Sequence, residues 1–180
     1  DGITSAYVVN TFEIAKAELE SNGFHIISIR ENIQLKMQEG FSKDTLSNWT
    51  KEGFIFIPRE GIYLVRNSPF LESPLEAVNQ HRIGEEFYPT ERQLERSLRD
   101  SVQVPYYEVL TKRGNSHNKP KIPLGKCSEN EIIRFMFENE AEPYLTFLRE
   151  NEINEITFGT PSMKYANQHK RPFAMQACIG

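Results

Sequence analysis

Basic side chains gather in two stretches of the chain that contain no acidic residue. The first stretch, residues 111–126, and the second, residues 157–180, hold between them eight lysines and arginines and one candidate histidine: Lys112, Arg113, Lys119, Lys121, Lys126, Lys164, His169, Lys170 and Arg171. Lysine and arginine bind phosphate through charge, and arginine adds paired hydrogen bonds. We therefore predict that these nine residues form an anion-binding surface, provided that the two stretches are neighbours in space.

The charge of these stretches contrasts with the rest of the chain. The net charge of all 180 residues is −4, from 21 basic and 25 acidic side chains, so the remainder is strongly acidic. A charge asymmetry of this kind gives information about the molecules that the protein binds, and it does not indicate the fold. Tyr106, Tyr107 and Tyr165 accompany the basic stretches and could stack on bases. The sequence therefore favours a non-catalytic protein that binds an anionic partner, with nucleic acid as the first candidate and a phosphate-bearing ligand as the broader class.

Two other functions remain open. An enzyme acting on a phosphate-bearing substrate would use Lys164, His169 and Arg171 to line its pocket. A protein-interaction module would instead use the predicted acidic helix 129–155, whose net charge is −6. Small residues follow the predicted strand 153–158, and their backbone N–H groups could approach an anion there. No catalytic residue, cofactor or oligomeric state follows from these patterns.

Other residue types give weaker signals. The four histidines are isolated from one another and from cysteine, so the sequence predicts no metal site. One face of a predicted helix carries Arg92, Arg96 and Arg99. Nearby glutamates favour salt bridges with these arginines over phosphate binding by them. Cys127 and Cys178 are not at metal-ligand spacing, so we expect free thiols and a cytoplasmic location.

Composition limits the class of protein. Hydrophobic residues make up 38% of the chain and charged residues 26%, as in globular proteins. No apolar run approaches the roughly 20 residues of a membrane helix. The chain could form one domain or two small ones.

The first 70 residues predict two tandem helix–hairpin repeats. A helix over 11–21 precedes predicted strands at 24–29 and 33–37. A second helix over 43–51, capped by Ser42, precedes predicted strands at 54–57 and 62–65. Gly23 and Gly53 begin matching Gly-Phe segments, which favours a repeat of 30 residues.

The segment from Thr45 to Gly53, with the hairpin that follows, also resembles the recognition helix and wing of winged helix–turn–helix domains. This resemblance covers about 25 residues and implies binding to the major groove of duplex DNA. The internal repeat explains the same residues without DNA.

Residues 71–180 predict a helical linker followed by an α+β portion, either as a second unit or continuous with the first. Ser73, Thr90 and Ser128 each precede a glutamate or glutamine by three residues, the spacing of a capping box. Strands are predicted at 102–111, 153–158 and 173–179. The sequence thus predicts an α+β fold, with an antiparallel or mixed sheet, helices packed on one face, and helix–strand–strand units.

Overall fold

The computed structural model describes residues 2–41, 48–105, 121–157 and 163–179. The helices are α1 (Phe12–Ser21), α2 (Ile29–Glu39), α3 (Pro74–Arg82), α4 (Glu91–Leu98), α5 (Leu124–Cys127), α6 (Glu131–Phe137), α7 (Ala141–Glu150) and α8 (Met163–Ala166). The strands are β1 (Asn48–Ile57), β2 (Gly61–Val65), β3 (Ser101–Val104), β4 (Lys121–Pro123), β5 (Glu155–Thr157) and β6 (Phe173–Ile179). Short 3-10 turns cover Pro69–Leu71 and Glu138–Glu140. No described helix combines the length and apolar content that a membrane crossing requires.

Four strands form an antiparallel sheet in the order β3-β2-β1-β6, and β4 and β5 form a separate two-stranded ribbon. The predicted α+β class and antiparallel sheet are confirmed. The sheet joins β1 and β2, which precede residue 70, to β3 and β6, which follow it. Both halves of the chain therefore contribute strands to one sheet.

The main hydrophobic core lies on one face of this sheet. Phe56, Ile62 and Phe173 are fully buried there and pack with side chains of α2, α6 and α7. Ala174 follows Phe173 and belongs to a smaller cluster with Ala77 and Phe87. Because successive strand residues point to opposite faces, this smaller cluster packs α3 against the other face.

The predicted strand Ile33–Met37 is wrong, because these residues belong to α2. Ser28 accepts a hydrogen bond from the Glu31 backbone, and the Glu31 side chain accepts one from the Ser28 backbone, which completes a capping box. Ile33 and Met37 of the alternating pattern also follow Ile29 at the helical spacings i+4 and i+8, so the same residues fit a helix as well as a strand. The first predicted hairpin, 24–37, is therefore absent, and the expected repeat of two helix–hairpin units does not form.

The second hairpin is confirmed with a longer first strand. The pairing of β1 with β2 runs from Gly53 opposite Val65 to Ile57 opposite Gly61. Arg59, in the turn between the strands, has a positive φ of 62°. Residues 48–51 were expected to be helical but lie in β1, where Trp49 pairs with Cys178 of β6. The recognition helix of the winged-helix resemblance is therefore contradicted. Ser42 and residues 43–47 lie outside the described residues.

The three predicted capping boxes have different outcomes. Thr90 and Gln93 form the expected box at α4. Ser73 does precede α3, but its hydroxyl accepts a hydrogen bond from Gln93 instead of capping the helix. Ser128 does not cap the start of α6, because it has helical backbone angles and is the C-cap residue of α5. Asn130 caps α6 and accepts hydrogen bonds from two backbone amides.

The later strands are shorter than predicted, except for the last. β3 ends at Val104, and residues 106–111 of the expected strand lie outside the described residues. β5 covers Glu155–Thr157 within the predicted 153–158, and β6 matches the predicted Phe173–Ile179. The predicted acidic helix 129–155 is divided into α6, a 3-10 turn and α7, since Glu138 has a positive φ of 50°.

Candidate anionic-ligand interface

The connection between α8 and β6 is anchored to the main core by an aromatic cluster. Phe173 is fully buried and stacks on Phe56 of β1, with ring centroids 4.8 Å apart. The ring of His169 lies 4.3 Å from that of Phe173, and Tyr165 of α8 meets His169 edge-on at 5.0 Å. Such ring pairs add stability beyond the area they bury. Residues 165–173 are therefore held in a defined conformation.

Tyr88 positions Arg171 and His169 from a distant part of the chain. Its hydroxyl is 3.0 Å from Nδ1 of His169, and the guanidinium of Arg171 lies 4.2 Å from the centre of its ring. The backbone next to Tyr88 is fixed because the Ala174 amide donates to the Phe87 carbonyl at 2.9 Å. A guanidinium stacked on a ring keeps its in-plane N–H donors free to bind a planar anion.

Two neighbouring groups complete this surface. The Tyr165 hydroxyl donates to the carboxylate of Glu86, which brings one negative charge to the edge of the cluster. Asn167 accepts a hydrogen bond from the Arg59 amide at 2.5 Å, which links the β1–β2 turn to the segment after α8. The exposed Arg59 therefore joins the cations of the second basic stretch.

The cations of the second stretch are exposed. Lys164 lies on α8, and Lys170 and Arg171 lie in the connection to β6. Within residues 2–41, 48–105, 121–157 and 163–179, no carboxylate forms an ion pair with any of these three. We name Arg59, Tyr88, Lys164, His169, Lys170 and Arg171 the cationic patch.

The described part of the first basic stretch differs. Lys121 lies in β4 and forms an ion pair of 2.9 Å with Glu155 of β5. The hydrogen bond and negative charge of Glu155 raise the pKa of the Lys121 ammonium. Lys126 is exposed on α5. Lys112, Arg113 and Lys119 lie outside the described residues, as do Tyr106 and Tyr107. The two stretches meet where Lys121 pairs with Thr157 in the β4–β5 ribbon, whereas contact between the cations of 112–126 and those of 164–171 stays a prediction.

Other candidate residues have structural roles. Arg96 pairs with Glu72 at 2.6 Å and Arg99 with Glu95 at 3.2 Å, so the salt-bridged interpretation of that helix is confirmed for both. Cys127 is buried, and burial raises the pKa of its thiol, which disfavours the reactive thiolate. Across the portion of the chain that the structure describes, no three His, Cys, Asp or Glu side chains are arranged to hold a metal ion.

Sequence reasoning missed Tyr88 and Arg59. Both come from the first half of the chain. The backbone hydrogen bond between Ala174 and Phe87 brings Tyr88 to the patch, and the hydrogen bond from the Arg59 amide to the Asn167 side chain brings Arg59 to it. No local pattern around either residue indicates such a contact. Tyr165 was expected near the patch as a stacking group, but it is buried and bonded to Glu86.

Comparison with known proteins identifies a similar fold. No family model matches the chain, and no curated protein matches its sequence. A solved structure reported as "Accommodation of massive sequence variation in Nanoarchaeota by the C-type lectin fold" matches with a TM-score of 0.58 at 18% sequence identity. The match covers 92% of this chain and 82% of that one. The chain is thus similar in fold to a C-type lectin fold protein.

Proposed function

We propose that this protein is a non-catalytic binding protein whose cationic patch binds an anionic partner, nucleic acid in the first instance. The observation that carries the proposal is the stacking of Arg171 on Tyr88, beside two further exposed lysines. Surface cations are usually mobile, whereas Arg171 is oriented by the ring below it. An oriented guanidinium loses less conformational entropy when it binds a phosphate.

The chemistry of the patch suits a phosphodiester backbone. Lys164, Lys170 and Arg59 can contact successive phosphates as point charges, while Arg171 can form paired hydrogen bonds to one of them. The exposed surface around Tyr88 offers a cation and an aromatic ring together, the combination by which proteins bind single strands with little sequence preference. This supports single-stranded nucleic acid over a duplex.

The similar fold is consistent with a binding role. The matching protein is reported to accommodate massive sequence variation in the C-type lectin fold. A scaffold that keeps its fold while its sequence varies can present different side chains at its surface, so ligand choice would depend on those side chains. In this chain the cationic patch would be such a surface.

The test is anisotropy of a fluorescently labelled single-stranded oligonucleotide titrated with the protein at several salt concentrations. The double variant Lys170→Glu/Arg171→Glu should weaken binding by roughly 100-fold, since two phosphate contacts are lost and replaced by repulsion. Lys121→Glu reverses a single charge at an ion-paired lysine and should weaken binding less than about threefold, also less than Lys170→Glu alone. The affinity of the unaltered protein should fall steeply with salt.

Equal losses for the two variants would reject the patch as the binding surface. Absence of binding by the unaltered protein at low salt would reject the function. Release of phosphate from p-nitrophenyl phosphate by the unaltered protein, lost on His169→Ala, would favour the enzyme alternative.

A further inference from the structure

A cavity of about 350 Å³ lies on the sheet face covered by α3, and none of the six residues of the cationic patch lines it. It is bounded by the start of α1, by α3 and the residues after it, and by β1 and β6. Ala77, Phe87 and Ala174 of the smaller hydrophobic cluster line it. Its volume is at the lower end of the range for small-molecule sites, about 300–1,000 Å³.

Aromatic side chains dominate the apolar part of the cavity. Phe70 and Phe87 pack against each other with ring centroids 5.2 Å apart, and Phe12 of α1 also lines the space. Trp49 lines it as well, although 55% of the residue is exposed to solvent. An indole that leaves so much of its surface exposed gains stability when a flat apolar group covers it.

Two buried oxygen atoms of the cavity can accept hydrogen bonds, and one of them, the hydroxyl of Thr11, can also donate. Oε1 of Gln176 and Oγ1 of Thr11 are buried, and neither has a hydrogen-bond partner among the described residues. A buried acceptor without a donor is unfavourable, so a ligand that supplies N–H groups would relieve this cost after a small side-chain adjustment. A ligand that brings only further acceptors would leave Oε1 of Gln176 without a donor, although the hydroxyl of Thr11 could donate to it.

The charged groups of the cavity favour a ligand that carries N–H donors and a positive charge. Glu85 and Glu86 line it, and the one arginine there, Arg82, faces Glu13 of α1 at 4.0 Å. The arginine is therefore partly neutralised, whereas Glu85 is exposed and forms no ion pair within the described chain. An ammonium group would be attracted to this rim and to the aromatic faces.

We propose that this cavity is a binding site for a small aromatic amine. The ring lies among Trp49, Phe70 and Phe87, and the ammonium group points to the carboxylates and free acceptor oxygens of the rim. The cavity shares none of the six residues of the cationic patch, although Glu86 lines the cavity and also accepts a hydrogen bond from Tyr165 beside the patch. Its ligand contacts a different set of side chains, so each proposal is tested separately.

The chain contains a single tryptophan, which makes Trp49 a direct reporter of the cavity. Three probes share one ring and differ in charge: phenethylamine is a cation, 2-phenylacetamide is a neutral donor and phenylacetate is an anion. Titration of each, followed by tryptophan fluorescence and by calorimetry, should give the order phenethylamine, then phenylacetamide, then phenylacetate, from tightest to weakest. Arg171→Ala should leave this order and the affinities unchanged.

Two variants test the geometry. Glu85→Lys, at an exposed position, should weaken phenethylamine binding about fivefold or more and leave phenylacetamide nearly unchanged. Glu129→Lys makes the same charge change outside the cavity and should have little effect on either. Val78→Phe should narrow the cavity and weaken both ligands, with a melting temperature that confirms folding.

Binding of phenylacetate as tightly as phenethylamine would overturn the proposal, as would equal effects of the Glu85 and Glu129 variants. No change in tryptophan fluorescence and no heat of binding with any of the three probes would also reject the site.

Discussion

The two basic stretches are alike in containing lysine and arginine and no acidic residue. They differ in whether the folded protein surrounds their cations with carboxylates. Lys121, in the described part of the first, is matched by Glu155 across the β4–β5 ribbon. Arg171, in the second, is held over an aromatic ring and has no ion pair among the described side chains. A count of charges along the chain therefore overstates the charge that is available to a partner.

The supports of the two segments explain this difference. Within the described residues the ribbon pairs three residues of each strand, and Lys121 and Pro123 are exposed in it. The α8–β6 connection instead rests on Phe173, which is fully buried and contacts His169, Tyr165 and Phe56. Ile122 and Ile156 of the ribbon are only partly buried against the same core. We therefore expect the connection to depend on the core more strongly than the ribbon does.

The largest expected effect is the loss of the shared aromatic support. Phe173→Ala should lower the free energy of unfolding by about 3–5 kcal/mol, since it leaves a cavity beneath His169 and beside Phe56. Ile122→Ala, at a partly exposed position in the ribbon, should cost about 1–2 kcal/mol. Urea unfolding measures both. Equal losses would show that the ribbon is as integrated into the core as the connection is.

The start of α6, which follows the ribbon, provides a second test. Asn130→Ala should destabilise the protein by about 1 kcal/mol, because two backbone amides of α6 lose their acceptor. Ser128→Ala should change stability by less than about 0.5 kcal/mol, since Ser128 is not the cap. Thermal melts of the two variants measure these losses. A larger loss of stability in Ser128→Ala than in Asn130→Ala would indicate that Ser128 caps α6.

A third test compares two carboxylates, the exposed Glu155 and Glu52, which is buried in β1. Glu52 accepts a hydrogen bond from the Ile29 amide at 3.0 Å, yet its burial raises the pKa of its carboxyl above 4.5. The folded protein then holds this proton more tightly than the unfolded chain, so stability falls as pH rises through the folded-state pKa.

Glu52→Gln keeps an acceptor for Ile29 and cannot ionise. The variant should therefore be more stable than the unaltered protein at neutral pH, and the difference should shrink towards pH 4. Denaturant midpoints from acid to neutral pH measure this. Glu155→Gln makes the same substitution at an exposed position and serves as the control for the substitution itself. Parallel curves for Glu52→Gln and the unaltered protein would refute the argument.

The smallest expected effect is at the ribbon ion pair itself. The raised pKa of Lys121 means that its pairing favours folding below the ordinary lysine value of 10.5 and is lost only as pH rises through the still higher folded-state pKa. Lys121→Gln should therefore produce no change in melting temperature that depends on pH between about 6 and 8. A change that varies in this window would mean that Lys121 interacts with another titrating group.

The sequence identified several elements by local chemistry alone. Thr90 and Gln93 form a capping box because each needs only the other's backbone, three residues away. Phe173–Ile179 forms a strand where a segment of seven residues, six of them apolar, predicts one. In contrast, Ile33–Met37 fitted both a strand and a helix, and the capping box at Ser28 and Glu31 decided for the helix.

Composition and spacing thus determined the α+β class, the helix at Thr90, the β1–β2 hairpin and the position of basic residues. Only the tertiary structure decided which of those cations are neutralised and which are oriented. Glu155 reaches Lys121 through strand pairing, and Tyr88 reaches Arg171 across more than 80 residues of chain through the contact of Phe87 with Ala174. Local propensities act over a few residues, whereas the free charge of a surface depends on side chains that only the packed sheet brings together.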